Sequence, residues 1–165
     1  MDAIFHPFSL PDSRYRGAEA LAAERGGPRG WCGPAAVALA GGCSYGAACT
    51  LLRQVAPHRY APDGEIVTAY WRDVVDALFQ LGVRAEQLPL DRPAPTLLGL
   101  ARRGGLPPGL YLVRVTGHFL LLRLHGFGLA EVHDNRLSGA PLTARSHGRC
   151  RVTHLARLPG GGLVP

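Results

Sequence analysis

In the first two thirds of the chain, hydrophobic residues recur at three- and four-residue steps or form alanine-rich apolar runs. This pattern is typical of helices that bury one face. Glycine and proline punctuate the runs, so five helical segments are predicted, at 18–27, 34–42, 45–56, 65–83 and 96–105. In the segment 65–83, the predicted core-facing stripe consists of Ile66, Tyr70, Val74, Leu78 and Leu81.

From residue 109 onward the pattern changes to short aliphatic runs separated by Gly or Asn, which indicates antiparallel strands. The predicted strands are 109–115, 118–124, 128–134 and 149–158. Helices followed by strands are typical of an α+β fold. We therefore expect one domain over residues 1–158, in which N-terminal helices pack on a C-terminal antiparallel β-sheet. Within it, residues 1–17 are expected to form an N-terminal arm, and residues 159–165 a flexible C-terminal tail.

Composition agrees with a folded domain. The chain has 165 residues, of which 47% are hydrophobic and 18% are charged, and a disordered chain would be less hydrophobic. Apolar runs are interrupted before they reach the roughly 18–20 residues that a membrane-spanning helix needs. The N-terminus lacks the basic and apolar regions of a signal peptide. These features predict a cytoplasmic protein without a membrane partner.

The formal net charge is +6, and all 18 basic residues are arginine. Such a bias is typical of a GC-rich coding sequence. The arginines are scattered, and no basic stretch interleaved with aromatic residues appears, which argues against nucleic acid as a partner. A steep salt dependence of retention on DNA would indicate the opposite.

The cysteines also narrow the function. Cys32, Cys43, Cys49 and Cys150 form no CxxC pair, so a structural zinc site is not predicted. Cys32 stands out in "RGWCGPAAVALAGG", directly before a predicted helix that Pro34 suits as its first residue. A helix N-terminus and a nearby imidazole both lower a thiol pKa and make a nucleophile. The alternative is a buried core cysteine, which is common.

One histidine has a partner that can be predicted from hairpin register. His118 begins the strand "HFLLLRL", and Asp134 ends the next strand, 16 residues later. A turn centred near 126–127 pairs His118 with position 134, 135 or 136. Residues at or next to such a pair lie roughly 5–8 Å apart at Cβ, so an Asp or Asn there can orient the imidazole.

A metal site built from His118, His133 and Asp134 is the competing chemistry. His133 and Asp134 are adjacent in a strand and must point to opposite faces, and the chain has no HxH or HxxxH pair. No metal is therefore predicted. The other histidines have no such support from the sequence: His6, His58, His125, His133, His147 and His154.

Three motifs, "WCGPAAVAL", "GHFLLL" and "VHDN", together resemble the papain-like cysteine peptidases. They are most similar to the compact bacterial and phage branch related to the double-glycine bacteriocin-leader peptidases. The resemblance implies a papain-like fold and a hydrolase, a cysteine (thiol) protease, that needs no cofactor and cleaves a peptide or protein substrate. It implies a catalytic triad of Cys32 as nucleophile, His118 as general base and acid, and Asp134 as orienter, with Asn135 as the fallback orienter.

The chain departs from this family at one position. The family places a Gln shortly before the Cys to help bind the oxyanion, whereas "ERGGPRGW" precedes Cys32. Arg29, Trp31 or the backbone N–H of Cys32 is then expected to contact the oxyanion or the substrate. The departure keeps a second function open, namely a catalytically weak or inactive papain-fold binding module. Such a module would be a virion component, if the chain is phage-encoded, or an effector that docks a host protein.

Overall fold

The structure is a computed structural model that describes residues 17–160. The expected arm and tail lie almost wholly outside these residues, and so does His6. Within this range there are five α-helices: α1 (Ala18–Glu24), α2 (Cys32–Gly41), α3 (Tyr45–Val55), α4 (Trp71–Gln80) and α5 (Leu97–Arg102). The strands are β1 (Glu86–Gln87), β2 (Gly109–Val115), β3 (His118–Gly126), β4 (Leu129–His133), β5 (Ala140–Pro141) and β6 (Val152–Arg157).

The strands form one antiparallel sheet in the order β1-β6-β2-β3-β4-β5. Its central strands are apolar on both sides, because each side of the sheet carries a cluster of buried side chains. In β2, Leu110 and Leu112 belong to one cluster, while Tyr111 and Val113 belong to the other. This alternation follows from the two-residue period of a strand. The predicted mixture of helices and an antiparallel sheet is confirmed.

Helix α2 lies at the centre of the first cluster. Eight consecutive residues, Gly33–Ala40, are buried, and six of them, Ala35–Ala40, form an Ala/Val/Leu run that packs against β3, α3 and α4. Small side chains allow this close approach, and the sheet covers the helix on one side. The first residue of α2 is thereby fixed at the end of the sheet where β3 begins.

The predicted helix over 65–83 is wrong in its first third, because α4 begins only at Trp71. Tyr70 has an extended backbone (φ −103°, ψ 147°), and its N–H donates to the Tyr60 hydroxyl at 3.2 Å. The extended segment buries Ile66, and it leaves Tyr70 half exposed rather than in the core stripe. The β-branched run Ile66-Val67-Thr68 disfavours helix, and packing of the segment decides the outcome.

Smaller differences concern the ends of elements. Strands β1 and β5 were not predicted, since two residues are too short for a periodic signal. The last strand begins at Val152 rather than 149, because the tight turn Ala144–Gly148 and residues 149–151 precede it. Among residues 17–160 no single helix is long and apolar enough to cross a membrane; α2 and α3 reach that length only together, and they meet at 106°.

Gly33, the second residue of α2, is expected to tolerate no side chain. A Cβ built there would lie 2.2 Å from the Cβ of Ala69, which has no flexible end to move away. We expect Gly33→Ala to lower the free energy of unfolding by about 1–3 kcal/mol. Gly46→Ala is the matched control, because it is also an early helical glycine but has open space around its Cβ position. It should raise stability by up to about 1 kcal/mol, and equal effects of both changes in urea unfolding would refute the contact.

Candidate active site

Cys32 is the first residue of α2, so its thiol lies at the positive end of the helix dipole. The prediction of a cysteine at the start of a helix is confirmed, although the helix begins two residues earlier than expected. Pro34 is therefore the third helical residue rather than the first, where its missing N–H still has no helical acceptor to lose. The thiol is half-buried and shares no disulfide.

The loop before Cys32 is held by two contacts from distant parts of the chain. The Trp31 backbone N–H donates to the Tyr45 hydroxyl at 2.8 Å, and the Gly30 carbonyl accepts from Asn135 Nδ2 at 2.7 Å. Gly30 is required here, because a Cβ would meet the Tyr45 ring at 2.3 Å. These contacts fix the position from which α2 presents the Cys32 thiol.

His118 and Asp134 are brought together by the β3–β4 hairpin. Leu121 lies opposite His133 in its register, which is the pairing expected from the turn centre. His118 Nε2 and Asp134 Oδ2 are 2.8 Å apart, and the predicted contact is thereby confirmed. Since Nε2 is used by Asp134, Nδ1 is the ring nitrogen that remains for the Cys32 thiol, with which the His118 side chain also forms a hydrogen bond.

The turn that begins at Asp134 holds the carboxylate of this residue in the orientation that contacts His118. Its Oδ1 accepts the backbone N–H groups of Arg136 and Leu137, both at 2.7 Å, and its N–H donates to the Leu137 carbonyl at 2.9 Å. Asp favours such turns because its side chain reaches the backbone two residues on. The turn fixes the buried carboxylate and leaves Oδ2 facing His118.

The charges of the three groups depend on one another. Burial raises the pKa of the Cys32 thiol, but hydrogen bonds from His118 and from the Phe119 backbone outweigh it, and the net pKa is lowered. Burial lowers the pKa of His118, but its hydrogen bonds with Asp134 and Cys32 raise it to about 9. The geometry therefore favours a thiolate beside an imidazolium.

Asp134 supplies the negative charge behind this pair. Burial of its side chain, which is 0% exposed, raises its pKa. The hydrogen bond with His118 and the two backbone N–H groups oppose burial and lower the pKa to about 2. Between about pH 2 and pH 9, Asp134 is therefore ionised while His118 is protonated.

The prediction from the sequence missed one residue of the site, His147. Its Nε2 lies 2.8 Å from Asp134 Oδ2, the oxygen that also binds His118. Its ring stacks on the His118 ring, with centroids 4.5 Å apart and planes at 21°. The "RSHG" stretch carries a turn signal in its glycine, but nothing local connects position 147 with 118 or 134.

Asn135 is not the orienter. It occupies the adjacent position but donates to Gly30, and Asp134 takes the place beside His118. Asn135 is buried and connects the Asp134 turn with the loop before Cys32. Its contribution is to hold the two parts of the site together.

Trp31 and Arg29 lie in the loop before Cys32, and the structure argues against Trp31 as an oxyanion donor. Both N–H groups of Trp31 are used, by Tyr45 and by Glu65, whose Oε2 accepts from the indole at 2.6 Å. The Arg29 guanidinium is exposed and forms no hydrogen bond or ion pair with residues 17–160, while its carbonyl accepts from Arg25. The Trp31 side chain is 38% exposed, so part of its ring forms an apolar surface next to Cys32 in the chain.

The structure separates the residues of the competing metal site. The His133 ring lies beside Glu131, with its Nδ1 accepting from the Gly139 N–H at 3.1 Å, on the other side of the strand from Asp134. His147 replaces it, and one ligand atom each of His118, Asp134 and His147 lie within 4.8 Å of one another. Three such side chains can ligate a transition metal. In this structure, however, both Asp134 oxygens already accept hydrogen bonds from N–H groups.

Comparison of this chain with protein-family models, with curated proteins and with solved structures finds no match.

Proposed function

We propose that this chain is a thiol-dependent acyl hydrolase, a cysteine peptidase of papain-like architecture that cleaves a peptide or related amide bond. The observation that carries the proposal is the position of His118, between the Cys32 thiol on one side and Asp134 on the other. A helix that presents the cysteine to a sheet carrying the other two groups is consistent with the motif resemblance. No cofactor takes part.

In the acylation step, the Cys32 thiolate attacks the carbonyl carbon of the substrate and a tetrahedral oxyanion forms. His118 then gives its proton to the leaving amine, the C–N bond breaks, and a thioester remains on Cys32. Asp134 holds the ring and balances the imidazolium charge without taking the proton. Each group is in hydrogen-bond reach of the next, which is the geometric requirement for this sequence.

In the second step, neutral His118 takes a proton from a water molecule while the oxygen of that water attacks the carbonyl carbon of the thioester. The acid leaves and the Cys32 thiolate is restored beside the imidazolium. In the absence of a preceding Gln, the oxyanion donors we assign are the backbone N–H groups of Cys32 and Gly33. Both belong to the first turn of α2, where N–H groups have no helical acceptor.

The first test measures iodoacetamide alkylation of each cysteine by peptide mass spectrometry, from about pH 4 to pH 9. Cys32 is expected to react fastest on the acid side, because its pKa is lowered, while burial raises the pKa of Cys49. Cys150, half-buried like Cys32, is the internal comparator. With p-nitrophenyl acetate, a burst of p-nitrophenolate equal to the enzyme concentration is expected, and Cys32→Ala should abolish it.

If Cys32 instead reacts like a free thiol of pKa about 8.5 and no burst appears, the enzyme proposal fails. A binding module that keeps the scaffold without turnover would then be the better description. Isolation of its partner would be the appropriate next experiment.

A further inference from the structure

Asp134 serves two imidazoles rather than one. Its Oδ1 is used by the backbone of its turn, while Oδ2 accepts from both His118 Nε2 and His147 Nε2 at 2.8 Å. A triad needs only the first of these two contacts. The second contact, from His147, binds the same oxygen. His147 lies in the turn that precedes β6, whereas His118 lies in the β3–β4 hairpin.

His147 also covers one face of the His118 ring. An imidazole can rotate about its Cβ–Cγ bond, and half a turn exchanges Nδ1 with Cδ2 and Nε2 with Cε1. After such a rotation, the Cδ2 atom of His118 would face Cys32 and its Cε1 atom would face Asp134, and neither hydrogen bond could form. The His147 ring, 4.5 Å away and nearly parallel, occupies the space through which the rotating ring would pass.

The turn that carries His147 is built around an unusual backbone. His147 has φ +66°, which non-glycine residues rarely adopt and which recurs at functional sites. The turn is held by a reciprocal Thr143–Ser146 cap and by the Gly148 N–H, which donates to the Thr143 carbonyl at 3.0 Å. A Cβ at Gly148 would meet that carbonyl at 2.3 Å, so the chain approaches itself too closely for any other residue.

We propose that His147 is a positioning residue that locks the His118 ring and the Asp134 carboxylate in the arrangement that leaves Nδ1 facing Cys32. The inference rests on the proposed function, and it adds a fourth side chain to the site. His147 acts on Cys32 only through the other two residues. It is 24% exposed, and the stacking and the shared hydrogen bond are its two separable contributions.

Three variants separate these contributions. His147→Phe keeps a stacked ring without the donor, His147→Gln keeps an N–H donor without the ring, and His147→Ala removes both. The second-order rate of Cys32 alkylation at pH 6 is expected to fall about tenfold to a hundredfold in His147→Ala, and less in the other two. His58→Ala, in an exposed turn, is the matched control and should not alter the rate.

Imidazole N–H resonances of ¹⁵N-histidine-labelled protein provide a readout that a purely structural role would not move. The Nε2–H signal of His118 should broaden or exchange faster with water in His147→Ala, while far-UV circular dichroism shows an intact fold. If His147→Ala does not fold, His147→Gly tests the same loss, because Gly adopts this backbone without strain and carries neither ring nor donor.

An unchanged His118 signal and wild-type alkylation in His147→Ala would overturn the inference. This failure is distinguishable from failure of the proposed function. In the first case wild-type Cys32 is still hyperreactive and depends on His118, whereas in the second it is an ordinary thiol in every variant.

Discussion

His118→Ala is expected to slow alkylation of Cys32 at pH 6 by about tenfold or more, since each unit of pKa changes the thiolate fraction tenfold below the pKa. Burial acts on the thiol to raise its pKa, and the interactions with His118 are the principal ones that oppose it. When they are removed, the pKa of Cys32 rises and the thiolate fraction falls. The rate should recover as pH is raised toward the new pKa, so the whole pH profile shifts to the alkaline side.

Peptide mass spectrometry of the alkylated protein measures this shift directly, with Cys150 as the comparator in the same sample. His58→Ala should leave the profile of wild type unchanged, because His58 is exposed and outside the site. A profile that stays in place in His118→Ala would mean that the helix N-terminus alone activates the thiol, and His118 would lose its assigned role. Intrinsic tryptophan fluorescence confirms that the variant is folded.

Asp134→Ala is expected to lower the free energy of unfolding by about 3–5 kcal/mol, which is the range for removal of one partner from a buried ion pair. The change leaves two backbone N–H groups and two imidazole N–H groups without their acceptor. Asp91→Ala is the control, because Asp91 pairs with Arg103 at 2.9 Å on the surface. That pair should contribute less than about 1 kcal/mol.

Urea unfolding of the two variants at pH 7 provides the comparison. Similar losses in Asp134→Ala and Asp91→Ala would contradict the buried network. Should Asp134→Ala fail to fold, Asp134→Asn keeps the volume and one acceptor. The Asn amide places an N–H group where the wild-type carboxylate accepts hydrogen bonds, so a donor faces a donor. Asp134→Asn should therefore be less stable than wild type and should lose the rapid alkylation of Cys32.

The same carboxylate gives the stability a defined acid dependence. The pKa of Asp134 is about 2 in the folded protein and near 3.8 when the chain is unfolded. Because the folded value is the lower one, the stabilisation is present above about pH 4 and is lost as pH falls toward 2, by about 2 kcal/mol in total. Wild type should therefore lose more stability over this interval than Asp134→Asn, which has no proton to bind at this position.

Local patterns predicted the parts of this molecule that depend on local forces. The order of helices and strands follows from hydrophobic periodicity, and α4 and β2 lie within the predicted segments. The contact between His118 and Asp134 could be predicted as well, because the register of a hairpin depends only on where its turn is centred. Cys32 was correctly assigned to a helix start from its neighbours alone.

The tertiary structure decided the contacts between segments that no tight turn connects. Packing of α2 against β3 brings the Cys32 thiol to His118, and the turn before β6 brings His147 to Asp134. The extended segment before α4 was decided in the same way, by burial of Ile66 and by the approach of Ala69 to Gly33. Periodicity reports only on neighbours within a few residues, so the composition of the site depends on how the helices pack on the sheet.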